Sequence, residues 1–370
     1  MKPGSPFPPG SSQYGFNALR LLFAGLVIVS HSFELIGLPD PIQAHSSVAS
    51  LGQLAVDGFF LISGFLITQS WLSDPSIKRF LARRVLRLYP AFIVASIFSA
   101  FIAGPLGAVP HQYFAEFDYP AFVRGVLTLQ VTKTPPVFAG TSIELVNGAL
   151  WTISFEARCY LLAMLVGLVG LFARRHLLLA LTIFLGLWIC WSAPPDGSMD
   201  GQHWLLGLKA LRVSDSMVWF SALFLTGSCY AQFRDRIRFS APVWVACFVV
   251  LCLCLARVAT MRLGILLAGA YVVFGLSAAH GMTTREKRSS QTDISYGIYL
   301  YGWPVQKLLA WYFPTLPAVG ILLLTLLIAG TLAIASWRFI EAPALRLKPK
   351  AARRSGPPGA GSDALPKVGA

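Results

Sequence analysis

The chain has 370 residues, 55% of them hydrophobic and 12% charged, with a mean hydropathy of +0.64, which lies outside the range of soluble globular domains and speaks for an integral membrane protein. The formal charge of +14 would point to nucleic acid in a soluble chain, but here the basic residues fall in short clusters between apolar runs, as topology signals do. The cysteines Cys159, Cys190, Cys229, Cys247, Cys252 and Cys254 all lie in or beside apolar runs without metal-type spacing, so no disulfide framework and no metal site are expected.

Residues 1–15, MKPGSPFPPGSSQYG, are rich in Pro, Gly and Ser and read as a disordered cytoplasmic N-terminus. A cleaved signal peptide is the rival reading, with 21–29 as its apolar centre and Ser47-Val48-Ala49 as its cleavage site. The long, nearly uncharged leader and the polar SHSFE that follows argue against it, so the first span is retained. A helix crossing the hydrocarbon needs about 20 mainly apolar residues. On that basis the expected spans are 16–37, 50–72, 88–109, 147–172, 177–193, 213–232, 241–257, 263–281, 294–312 and 316–339. The expected fold is therefore all-α: a polytopic membrane protein of about ten transmembrane helices in one bundle. A single domain covers 16–347, and 348–370 is a disordered basic tail.

With the N-terminus inside, most Lys and Arg fall in inner segments: Lys2 and Arg20, then IKRFLARRVLR, ARRH, RDRIR, TREKR and the stretch from Arg338 to the end. The positive-inside rule then puts both termini in the cytoplasm. The longest outer connection, 110–146, contains YPAFVRGVLTLQV, which has the makings of a short interfacial helix and of a lip for an external substrate.

The first span, RLLFAGLVIVSH, carries Arg20 at one end and His31 eleven residues later. Along a helix that separation is about 16.5 Å of rise and leaves the two only about 20° apart around the axis, so they share a face. Asp57 lies roughly 10 Å into a span descending from outside, and Glu156 roughly 13 Å into another, so His31, Asp57 and Glu156 are expected in one layer. Burying such groups singly would cost roughly 2.5–3.5 kcal/mol each, which places them against a polar cavity inside the bundle. A neutral histidine beside a carboxylate can take a proton from a hydroxyl, and Glu34, Asp57 or Glu156 could orient the ring. Structural pairing, or snorkelling at a span edge, is the competing account of each charge.

In KRFLARRVLRLYP, Arg84 and Arg87 stand at i and i+3 on one helix face, where guanidinium forks suit phosphate oxygens; a plain positive-inside anchor is the alternative.

Taken together these segments resemble the acyltransferase 3 family, the multispanning acyltransferases that O-acylate bacterial surface polysaccharides, over roughly residues 14–347. NALRLLFAGLVIVSHS resembles the first-helix motif, carried over to Arg20 and His31. VDGFFLISGFLIT followed by RRVLRLYP resembles the second signature, matching Asp57, Ser63, Gly64, Arg84, Arg87, Tyr89 and Pro90. GALWTISFEARCY matches at Trp151 and Glu156, SYGIYLYGWPV at Tyr296, Tyr299, Trp303 and Pro304, and FIEAPALRL at Glu341 and Pro343. Two positions depart from the pattern. Asn17 stands where an aspartate commonly precedes the first-helix arginine, removing an ion-pair partner for Arg20, and Gly302 stands where many members carry a histidine.

The resemblance implies a cytoplasmic acyl-CoA donor, most often acetyl-CoA, a carbohydrate acceptor on the outer side, and a place in the bacterial inner membrane. It assigns His31, Arg20, Asp57 and Glu156 to catalysis, Arg84, Arg87 and Arg20 to the donor, and Glu34, Trp151, Tyr299, Trp303 and Glu341 to the substrate or to motif structure. His31 would act as base or transiently carry the acyl group. No nucleic acid is implied. A transporter or flippase for a glycan or small anionic solute is the competing class, since intramembrane charges also mark transport paths, although no internal repeat of the transporter kind is visible.

Overall fold

A computed structural model describes residues 12–46, 49–192, 202–204, 212–279 and 292–349. Helix α1 spans Ser12–Glu34, so it already includes the end of the stretch expected to be disordered; residues 1–11 of that stretch and 350–370 of the expected tail lie outside the described residues. Asp40 organises the first turn. One of its carboxylate oxygens accepts the amides of Ile42 and Gln43, and the other accepts that of Leu51, delivering the chain to Ser50. The Ser50 hydroxyl then caps α2, Leu51–Ser73, by accepting the Gln53 amide at 3.1 Å.

Helix α3, Ile77–Phe98, starts well before the expected 88 and runs through a π-helical turn at Ser99–Ala103 into Gly104–Leu106. The outer connection that follows contains short helices at Pro110–Ala115 and Tyr119–Leu127, the second on the interfacial stretch anticipated and capped by Asp118. Then come α4 (Trp151–Leu168, entered through a 3-10 turn at Gly148–Leu150), α5 (Arg175–Trp191), α6 (Asp215–Gln232) and α7 (Ala241–Leu255). Helix α8 runs from Val258–Gly264 through a π turn, Ile265–Gly269, into Ala270–Ala279, and α9 is Ser295–Tyr312. Helix α10, Ala318–Ser336, continues through the π turn Trp337–Glu341 to Ala342–Arg346. The exception to helix among the described residues is one antiparallel pair of three-residue strands, β1 (Gln202–Trp204) and β2 (Arg212–Ser214).

Six helical stretches among the described residues are long and apolar enough to cross a membrane: Gly15–Glu34, Leu51–Ser73, Ile77–Leu106, Gly148–Leu168, Thr260–Ala279 and Ala318–Arg346. Of the other expected spans, α5 and α7 are apolar but shorter, while α6 and α9 are helices lying mostly in the interior. The outer faces are apolar: Leu165, Leu267, Leu323 and Leu327 are all more than half exposed, and α7 buries none of its residues. A surface of that composition is matched to lipid.

The core is built around α6, α2 and α9. Helices α2 and α6 cross backbone to backbone: a methyl group on Gly64 would overlap the carbonyl oxygen of Phe224, and one on Gly227 would overlap that of Leu61. Small residues at such a crossing are how membrane helices gain close packing. Gly64→Ala must therefore separate two backbones, and overpacking of that kind costs about 1–3 kcal/mol. A clear fall in the unfolding temperature of the detergent-solubilised protein is expected, whereas Gly25→Ala, with nothing within 4 Å of the added methyl, should leave that temperature nearly unchanged.

Candidate active site

The four arginines of IKRFLARRVLR divide between helix faces. Arg79 (Nε 2.8 Å, Nη2 2.6 Å) and Arg83 (Nη1 2.7 Å) donate to Asp74 in the α2–α3 turn, and their hydrogen bonds hold its carboxyl well below the usual carboxylate range. Arg84 and Arg87 turn instead into a cavity of about 820 Å3, at the end of the bundle that holds the start of α1 and the end of α10. That volume suits a sizeable ligand.

Arg20 lines the same cavity, and the residue that joins it to Arg87 is Asp293, just ahead of α9. One oxygen of Asp293 receives Arg20 Nη1 and Arg87 Nη2, each at 2.7 Å. Burial alone would raise this carboxyl, but the two guanidinium groups, helped by Ser295, hold it well below the ordinary range. So the partner that Asn17 cannot supply to Arg20 comes from the other end of the chain. On its far side Arg87 faces Glu341 at 3.6 Å, at the end of the π turn whose Trp337 also lines the cavity.

Arg84 is held differently. Its Nη2 donates to Ser70 Oγ at 3.2 Å and its guanidinium lies 5.6 Å from the ring centres of both Phe80 and Tyr160. Its Nε is buried without a hydrogen-bond partner, and among the described residues Arg84 makes no ion pair. Lys348, past the end of α10, completes the basic lining; burial, then Arg87 and Arg84, push its ammonium down to about 8. Cations that depress one another in this way gain from an anionic ligand.

Glu156 belongs to this cavity too, accepting the Tyr160 hydroxyl, so it does not share a layer with His31 as the depth count led one to expect. The count assumed that the span enters at the membrane surface near 147. Asn147 is in fact fully buried, with its amide bonded to Ser99 Oγ of the α3 π turn and to the Leu300 carbonyl of α9. That carbonyl is free to accept because Pro304, one turn on, has no N–H to offer it.

His31 lines a second, smaller pocket of about 110 Å3 at the opposite end, with Ser30, Glu34, Gln53 and Trp151. Its ring meets Trp303 edge-on with centroids 4.6 Å apart, and among the described residues no side chain hydrogen-bonds its nitrogens. Glu34 accepts the Ser30 hydroxyl at 3.1 Å. Asp57 stands behind this pocket: one of its oxygens takes Gln53 Nε2 at 2.8 Å and Trp219 Nε1 at 2.9 Å, so it reaches the pocket through Gln53. Trp303 is fixed by Nε1 to the Leu145 carbonyl at 3.3 Å and rests on Gly148, where an added methyl would come within 2.6 Å of the indole. Gly302, the other departure, packs toward Ile28 rather than into either cavity.

Helix α9 also supplies two residues that the motif reading passed over. Gln306 Nε2 grips α1 at the Ile28 carbonyl and Ser32 Oγ, both at 2.8 Å, on either side of His31 in sequence. Lys307 donates to Thr141 Oγ1 (2.9 Å) and the Ile143 carbonyl (2.7 Å), tying the outer connection down. A glutamine and a lysine side by side in an apolar run were a signal available in the sequence. The two cavities share a wall: Val56 of α2 and Tyr299 of α9 line both, and the Tyr299 hydroxyl is hydrogen-bonded to Thr152 Oγ1 at 2.7 Å.

A family model described as an acyltransferase domain matches residues 13–337. The chain belongs to the acyltransferase 3 family. It is 28% identical over 341 residues to an O-acetyl transferase of Shigella phage Sf6, covering 88% of this chain and 94% of that protein. It is 28% identical over 359 residues to Nodulation protein 10 of Rhizobium leguminosarum bv. viciae, covering 90% and 93% respectively. No solved structure matches it. This acyltransferase 3 chain is thus a membrane-type acyltransferase whose matched region holds Arg20, His31, Asp57, Arg84, Arg87, Glu156, Tyr299 and Trp303. Glu341 and Lys348 lie just beyond the matched residues, yet the fold returns Glu341 to Arg87 and Lys348 to the cavity wall.

Proposed function

We propose that the chain is an O-acetyltransferase that takes an acetyl group from cytoplasmic acetyl-CoA and places it on a hydroxyl of an exported or surface carbohydrate. The observation that carries this reading is the pairing of a basic cavity at one end of the bundle with a histidine pocket at the other, the two sharing the wall of Val56 and Tyr299. The relative named O-acetyl transferase supports the choice of acetyl. Both termini lie on the cytoplasmic side of the inner membrane and all ten helices act as spans, with the more polar α6 and α9 sheltered by their neighbours; the basic inner segments support this orientation.

Arg84, Arg87 and Lys348 hold the phosphates of the CoA donor, with Arg20 at their side through Asp293. The thioester points toward the shared wall. His31 takes the proton of the acceptor hydroxyl as its oxygen attacks the thioester carbon, so that a C–O bond forms, the C–S bond breaks, and the proton finishes on the CoA thiol. Glu34, in the same pocket, orients the imidazole or the acceptor, while Asp57 fixes Gln53. Trp151 gives the acceptor sugar an aromatic face to lie on, while Trp303, buried behind the pocket, sets the imidazole by its ring contact. Glu156 and Glu341 tune the donor side.

Purified protein incubated with radiolabelled acetyl-CoA and candidate glycans tests the reading: label on the glycan supports it, and glycan movement across a vesicle without labelling supports a flippase instead. A pH effect accompanies it. Lys348, poised at about 8, is a cation at lower pH and loses its charge above that point, so the KM for acetyl-CoA is expected to rise between pH 7 and pH 9. In Lys348→Gln the KM should be higher at pH 7 and the rise flattened, read from initial rates.

A further inference from the structure

The wall between the two cavities has a consequence for which acyl group can react. Two residues that line both cavities define it, Val56 and Tyr299. Val56 lies on α2 one turn after Gln53, so both present to the histidine pocket, and it is 7% exposed. Tyr299 stands opposite on α9, its hydroxyl tied to Thr152 and its ring edge-on to Phe59 with centroids 6.0 Å apart. The tyrosine side of the wall is therefore fixed by a hydrogen bond and a ring contact, while the other side is one aliphatic side chain.

The compartment beyond that wall is small. At about 110 Å3 it has less than a seventh of the volume of the basic cavity. It must take the reacting hydroxyl of the acceptor and the acyl carbon together, which leaves space for a short acyl chain and little more. The basic cavity, at about 820 Å3, imposes no such limit on the donor's carrier.

We infer that Val56 and Tyr299 are the residues that set acyl chain length, admitting acetyl and rejecting longer acyl groups at the passage between donor cavity and histidine pocket. The inference rests on the acyl-transfer reading above. Because the carrier is held in the large cavity whatever acyl group it bears, the discrimination falls on kcat and not on the donor's KM. One methylene too many in a tight apolar site is worth about 10–200-fold, so the native chain transfers butyryl at least about tenfold more slowly than acetyl.

The test is initial-rate kinetics of the full chain in detergent or nanodiscs with acetyl-, propionyl- and butyryl-CoA and one glycan acceptor. Val56→Ala is expected to raise the butyryl-to-acetyl ratio of kcat by about tenfold or more. Val56→Leu is expected to lower kcat for acetyl by about tenfold and for the longer donors further, with donor KM changing less than about twofold in both variants. Val56→Ala, a simple truncation, decides the matter if the leucine variant does not fold. An unchanged kcat ratio in Val56→Ala, or rates that fall by one common factor for all donors, overturns the inference while leaving acyl transfer in place. Absence of transfer from every donor by the native chain overturns the reading of function, and this inference with it.

Discussion

Acetyl transfer is expected to fall by about 10²–10⁴-fold in kcat when His31 is replaced by alanine, with the KM for the donor nearly unchanged. The size of the effect follows from position. His31 is the imidazole of the distal pocket, its ring is set by the edge of Trp303, and α1 is gripped on either side of it by Gln306. The donor KM is spared because the phosphate-suited arginines line the other cavity, with about 16.5 Å of helix between Arg20 and His31. His31→Gln, which keeps a polar group of similar reach but cannot act as base, should be nearly as slow. Transfer at the native rate in His31→Ala membranes would remove the histidine from the chemistry.

The second large effect is expected at Asp293. Its carboxylate neutralises Arg20 and Arg87, and the side chains involved are only 10–19% exposed, so little solvent screens them. Removing one partner from a buried charge cluster costs about 3–5 kcal/mol, because the partners left behind keep their desolvation penalty. Asp293→Ala should therefore lower the unfolding temperature strongly in the absence of ligand. CoA phosphates bring negative charge back to the orphaned guanidinium groups, so the stabilisation produced by CoA should be larger in the variant than in the native protein. Differential scanning fluorimetry with and without CoA reads both; an unfolding temperature equal to the native value in Asp293→Ala would mean that the cluster contributes nothing to stability.

Much of this site could be read from local pattern. The common face of Arg20 and His31 follows from helix geometry, and the α3 arginines facing the cavity, Arg84 and Arg87, stand one turn apart. What could not be read depends on pairings between distant segments. Asp293 meets Arg20 across 273 residues and Arg87 across 206, and nothing in TDISYG marks which helix ends it will lie beside. Depth counted from a span's apparent start misplaces Glu156 for a related reason: the count fails where the start is already buried, as Asn147 is against Ser99 and Leu300. The division of IKRFLARRVLR into two arginines for Asp74 and two for the cavity likewise depends on where the α2–α3 turn puts one aspartate. The spans show the same limit. Apolar length alone identifies six, whereas α6 and α9, the most enclosed helices, carry the polar residues of an interior and fall short of the measure.

The backbone crossing at Gly64 and Gly227 leaves no slack for α2 and α6 to slide or roll against each other. The pair works as a stator. Since α2 contributes Gln53 and Val56 to one compartment and Ser70 to the other, both reaction chambers are anchored to the same immobile post. Whatever shifts to let a bulky carrier in or a modified sugar out must do so against that post, among the other helices that line the chambers, α1, α4 and α9.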